Sequence, residues 1–157
     1  MRVKKKLFLT FLILIFVINV FLGCNILKNK NPKVENIVAS ISDKVNLDSL
    51  KKGDKLALRK YYRIDPSKLE EFQLYLPSSN MDVTEILIAK CKDQDFIEEI
   101  NEKIENRIEK QKEAFKDYAP KQYSLIENHI LFHKGNYVVM IITENEEELI
   151  KNIKKQF

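Results

Sequence analysis

Apolar residues at Val34, Ile37, Val38, Ile41 and Val45 recur every three or four positions, a spacing that aligns them on one side of a helix. This helix is expected to run from Lys33 to near Asn46. Gly53-Asp54 interrupts the pattern, and Leu58, Tyr61 and Tyr62 mark a short second helix. Asp65-Pro66 ends it, because a residue before proline avoids helical geometry. The period then drops to two at Phe72, Leu74 and Leu76, a strand closed by Pro77 and followed by the turn residues Ser78, Ser79 and Asn80. Ile86 to Cys91 is apolar on both faces at its start and reads as a central strand. The clearest element spans 94–118, where Phe96, Ile97, Ile100, Ile104, Ile108, Gln111, Phe115 and Tyr118 form one stripe. Asp93 or Asp95 can cap its start, and Pro120 lies just past its end. His129–Lys134 and Tyr137–Thr143 flank Gly135-Asn136, which is a hairpin signal. Asn145, with Glu148 three residues on, resembles a capping box opening a last helix that carries Leu149, Ile150 and Ile153.

The expected order is α-α-β-β-α-β-β-α. Hairpins dominate it, which predicts a single α+β domain over residues 33–157, built on a mainly antiparallel four-stranded sheet with helices packed on one face. A ββα unit occurs twice, without sequence similarity between the two halves.

The first 23 residues follow a different logic. MRVKKK is basic, Leu7–Leu22 is apolar apart from Thr10 and Asn19, and Gly23-Cys24 follows. That is the charged region, apolar core and small residue of an export signal. As a helix its sixteen apolar-region residues span about 24 Å, short of the roughly 30 Å hydrocarbon layer. Phe21-Leu22-Gly23-Cys24 resembles the lipobox of bacterial lipoproteins, in which cleavage after the small residue leaves a lipidated cysteine as the new N-terminus. The expectation is therefore a signal peptide at 1–23, a lipid on Cys24 and a polar tether at 24–32. The alternative is a single spanning anchor over about residues 7–27. Both put the domain outside the cell membrane, since Lys4, Lys5 and Lys6 hold the N-terminus inside.

Charge agrees with that address. The chain has 27 basic and 23 acidic residues; without Arg2, Lys4, Lys5 and Lys6 the two counts are equal. The folded part has no basic excess, which argues against a nucleic-acid partner. With Cys24 acylated, Cys91 is left alone and reads as a buried strand residue.

Candidate chemistry is sparse. His129 and His133 share a face of a strand but stand about 13 Å apart, too far to bind one ion, so no metal site is expected. Three glycines leave no phosphate-cradling loop, and Ser78, Ser79 and Asp82 lie in no nucleophile motif. No catalytic residue and no cofactor is assigned. Two polar, aromatic-bearing segments remain as a candidate binding surface: 75–82 with Tyr75, Ser78, Ser79, Asn80 and Asp82, and 118–123 with Tyr118 and Tyr123. Tyrosine supplies wide contact area with a polar tip, and the two segments are expected to converge on one side.

The ordered series LRKYYRIDP at 58–66, PSSNMD at 77–82, APKQY at 119–123 and KGNY at 134–137 is similar to a family of small Gram-positive lipoproteins, the domain of unknown function 4358. The resemblance covers about residues 35–157. It implies an exported lipoprotein and brings no activity or catalytic residues with it. The functional expectation is a membrane-anchored binding or accessory module whose partner is an envelope protein, peptide or polymer. An envelope hydrolase with a site assembled only by folding, or a structural assembly subunit, are the alternatives.

Overall fold

The structure, a computed structural model, describes residues 30–157. The expected signal peptide, Gly23, Cys24 and most of the tether lie outside them. Residues Asn31–Phe157 form one compact unit.

Helix α1 (Val34–Ala39) continues as tight turns to Val45. Strand β1 (Lys51–Gly53) leads to α2 (Lys55–Tyr62), whose start is capped by the Asp54 carboxylate accepting from Ala57 N at 2.8 Å and whose end turns at Arg63 with φ 57°. Strands β2 (Leu69–Leu76) and β3 (Glu85–Cys91) precede the long helix α3 (Ile97–Phe115). Then come α4 (Pro120–Glu127), the hairpin β4 (Ile130–Lys134) and β5 (Tyr137–Ile142), and α5 (Glu146–Lys154).

Among the described residues five strands form one antiparallel sheet in the order β1-β2-β3-β5-β4. The expected four strands are all present; β1 is the addition. Its three residues, Lys-Lys-Gly, carry no apolar alternation to read. Gly53 is required there, because a Cβ would come within 2.6 Å of the Leu74 side chain.

The one-sided arrangement of helices is corrected. One face of the sheet, with Leu74, Leu87, Ala89, Val138 and Met140, packs under α2, α3 and α4. The other, with Ile86, Ile88, Val139 and Ile141, packs under α1 and α5. The result is three layers with two cores, and β3 and β5 are buried along their whole length. Runs such as Tyr137–Ile142, apolar at every position, are what a strand covered on both sides requires.

Two further expectations change. Pro120 does not merely stop the long helix; it opens α4 at a first-turn position, where its missing N–H costs nothing. Asn145 makes no side-chain cap and instead takes φ 68°, so the capping box does not form.

The start and finish of the domain meet at β5. The Tyr137 hydroxyl lies 2.6 Å from both Asn31 Oδ1 and Pro32 O, donating its one proton between them, and the Phe157 ring meets the Tyr137 ring edge-on at 5.0 Å.

Candidate functional site

Strand β3 begins with Glu85, an acid that leads into Ile86–Ala89. Register with Ile142 on β5 places it on the α3 side of the sheet, fully buried. A buried carboxylate needs donors for each oxygen, and two helices supply them. From α2 the Tyr62 hydroxyl donates to Oε1. From α3, Arg107 donates through Nε to Oε1 at 3.3 Å and through Nη2 to Oε2 at 2.9 Å, and Gln111 Nε2 donates to Oε2 at 3.0 Å. Arg107 and Gln111 are one helical turn apart, which lets both reach one carboxylate.

The electrostatics follow from burial. Tyr62 is held well above the ordinary phenol range, first by desolvation and then by the adjacent Glu85 charge. Burial works against the Arg107 charge, but Glu85 more than offsets it and holds the guanidinium above its usual value. With both oxygens taken, Glu85 is an anchor for the two α3 side chains rather than a base.

Above this network lies a cavity of about 260 Å³. Arg107 and Gln111 form part of its wall, with Tyr61, Leu76 and Phe115 as apolar surface, and Ser79, Asn80 and Asp82 bring in the loop between β2 and β3. The Tyr61 ring faces the Arg107 guanidinium at 5.3 Å. Gln111 is only 5 % exposed, and its Oε1 has no hydrogen-bond partner. The loop is held by its own residues: Ser79 Oγ accepts from Met81 N at 3.1 Å, and Asp82 accepts from Thr84 N and Oγ1 at 3.0 and 2.9 Å.

Among the described residues four large apolar side chains are exposed, Leu56, Tyr61, Met81 and Tyr118; one lines this cavity and two are adjacent to lining residues. Tyr61 (38 % exposed) lines it, Met81 (61 %) sits between the lining residues Asn80 and Asp82, and Tyr118 (56 %) stacks on the lining Phe115 at 5.4 Å.

Of the residues singled out from the sequence, Ser79, Asn80 and Asp82 line the cavity and Tyr118 borders it through Phe115. Ser78 points away and donates to Ser49 O at 2.7 Å, fastening the loop to the turn before β1. Tyr75 faces the opposite side of the sheet, against the α1–α5 core. Tyr123 packs on the α3-side core and donates to Glu127 at 3.1 Å. Sequence reasoning missed Glu85, Arg107 and Tyr61. It placed Gln111 in the apolar stripe of the long helix, and a polar residue in such a stripe is itself the signal of a buried polar contact.

Elsewhere, His129 Nδ1 lies 2.7 Å from Ile126 O, and His133 stands on β4 beside Glu98, Asn101 and Glu102 of α3 in a more open depression. Among the described residues no group of three or more His, Cys, Asp or Glu side chains is placed to hold a metal ion. No described helix is long and apolar enough to cross a membrane. Cys91 is a buried free thiol, pushed up to about 11 by desolvation.

The fold and this site define a three-layer α+β domain with an open antiparallel sheet and a polar-floored cavity at one end of its long helix. The chain belongs to the family described as Domain of unknown function (DUF4358), whose model matches residues 43–143. That span holds all five strands and every residue lining the cavity, and leaves out α1 and α5. Neither the curated proteins nor the solved structures contain a significant match.

Proposed function

We propose that the chain is a non-catalytic binding module of the cell envelope, anchored to the membrane through Cys24, and that the cavity beneath the 77–82 loop seats a side chain of a polypeptide partner. The observation that carries this reading is the half-exposed Tyr61 in the wall of a cavity that also holds Arg107 and Gln111, with the exposed Tyr118 stacked on the lining Phe115 and the exposed Met81 in the loop that contributes Asn80 and Asp82. Protein-binding surfaces concentrate affinity in a few aromatic and arginine anchors around a desolvated pocket, and a flexible methionine adapts its contact to a partner. The anchored location rests on the leader and its lipobox-like end. A binding role is favoured over hydrolysis because Glu85 is saturated with donors, Ser79 and Asp82 are engaged in their own loop, and the lining contains no histidine.

The test is a photocrosslinking residue placed at Met81 or Tyr118 in intact cells, against a control at the exposed Lys151 on α5. One adduct of discrete mass is expected at 81 and at 118 but not at 151, weakened when Tyr61→Ala is combined with the 118 probe. Equal labelling at 151, or none at either cavity position, overturns the reading.

A further inference from the structure

We propose that the open edge of strand β2 takes an extended, acidic segment of a partner polypeptide as an added strand. This goes beyond the cavity beneath the 77–82 loop: the two places share no lining residue, and either can stand without the other. Strand β1 covers β2 only at Leu74, Tyr75 and Leu76, and after Gly53 the chain turns away at Asp54 into α2. Among the described residues no strand lies beside Leu69–Gln73 on that side. No turn, loop or cap hydrogen bond between backbone groups reaches Glu70–Gln73 either. Such an edge presents unpaired N–H and C=O groups from alternate residues, a template for another chain. The β-bulge between Leu69 and Glu71 ends the regular ladder, so the seat is centred on Glu71–Gln73, as short a stretch as β1 already pairs.

A groove of about 670 Å³ runs along this edge. Leu69 and every residue from there to Gln73 line it. Successive side chains of a strand point to opposite faces, so one depression touches them all only from the strand's edge. Its walls come from both outer layers: Lys33, Val34 and Glu35 at the start of α1 on one face, and Lys55 and Arg59 of α2 on the other. A strand added there would send alternate side chains towards α1 and towards α2, which is how strand addition gains its specificity. The charges choose the occupant. Of the three lining carboxylates, Glu70 is held by Lys90 at 2.7 Å and Glu71 accepts from Val34 N at 2.8 Å. That leaves Glu35 against Lys33, Lys55 and Lys92, so an acidic strand meets a lysine on either face. The chain's own segments have the wrong sign. The tether carries Lys28 and Lys30 and no acid, and the sheet's other open edge, β4, carries Lys134 and no acid.

The experiment uses the full chain in lipid nanodiscs and capped pentapeptides, Thr-X-Val-X-Thr, with X as Glu, Gln or Lys. Binding is read from the backbone amide resonances and hydrogen exchange of Glu71–Gln73. The Glu peptide is expected to bind at least about ten-fold more tightly than the Lys peptide, with Gln between them. It should slow exchange at alternate amides of the edge. Two N-methylated forms of the Glu peptide, blocked at its odd or at its even positions, separate strand addition from simple charge attraction. One side of an added strand faces β2 and the other faces solvent, so only one of the two forms should lose binding. Lys55→Glu, at the exposed start of α2, should weaken the Glu peptide about three- to ten-fold. If that variant does not fold, the N-methylated pair on the unaltered chain still decides. Absent binding, a Lys peptide as tight as the Glu peptide, or N-methylated forms both kept or both lost overturns the proposal. So does protection of Glu71–Gln73 without peptide that fades on dilution, the mark of a second copy on this edge. Crosslinks at Met81 and Tyr118 report on the other place, so failure here leaves the cavity reading untouched, and the reverse holds.

Discussion

Glu85 is the residue on which the α2–α3 side of the sheet is organised. Removing it leaves the half-buried Arg107 without its counter-ion, and breaking one side of such a pair is far more damaging than replacing both. Glu85→Ala is therefore expected to cost about 3–5 kcal/mol in urea unfolding. Tyr62 gives the same network a dependence on pH. Its hydroxyl is held well above the ordinary value in the folded chain, so the folded state keeps a proton that the unfolded state releases near pH 10. That stability is fully present below about pH 10 and is lost as pH rises beyond it. Tyr62→Phe should flatten the alkaline fall in the denaturant midpoint relative to the unaltered chain. Cys91 makes a third case: desolvation raises its thiol to about 11, and the reactive form is the thiolate. In a Cys24→Ala background it should resist a thiol reagent at pH 8 and react once urea unfolds the domain; rapid labelling of the folded chain would contradict its burial. How far this site could be read in advance differs from residue to residue. Gln111 was visible as a polar break in an apolar stripe. Glu85 was not, because one acid at the edge of an apolar strand looks the same whether it faces water or a buried guanidinium. The partnership with Tyr62 and Arg107 joins positions 23 and 22 residues away, a separation that no local pattern reports.

Among the elements, the long ones announce themselves and the short ones do not. Helix α3 and strands β2, β3 and β5 follow periods of 3.6 or 2, or continuous apolar runs, and were legible. Strand β1 is stabilised by pairing Lys51, Lys52 and Gly53 with Leu76, Tyr75 and Leu74, a tertiary fact with no periodic trace. Gly53→Ala is expected to force Leu74 aside at a cost of about 1–3 kcal/mol, measurable as a lowered melting temperature without loss of the sheet signal. Helix α4 was hidden because proline past one helix can equally begin the next. The layering is illegible in the sequence for a further reason: amphipathic helices state that they cover something, not which face. The spacing of Val34, Ile37, Val38 and Ile41 puts them on one side of a helix, and only the fold shows that they lie against Ile86, Ile88 and their neighbours. Ile37→Ala should cost about 2–5 kcal/mol, the range for truncating a buried isoleucine. A change under about 0.5 kcal/mol would mean that α1 is not integral to the second core.

For the molecule as a whole, the equal counts of acidic and basic residues from Cys24 onward mean that the proposed binding role would have to rest on shape and hydrogen bonds rather than on a broad field. Replacing Cys24 by alanine is expected to abolish lipid labelling and either release the protein or leave its precursor unprocessed. Unchanged membrane retention, size and labelling would favour a spanning anchor instead. The clasp at Tyr137 matters most in this setting. One phenol holds Asn31 and Pro32 at the head of a central strand while Phe157 rests against its ring. Only six residues separate Cys24 from Asn31, a lead of at most about 25 Å. Tension on that lead would arrive first at a single hydroxyl, which can let go and re-form. If Cys24 is anchored as proposed, the clasp would under load yield a few residues of slack before either core is strained, and the domain would ride there like a boat on a short, forgiving mooring.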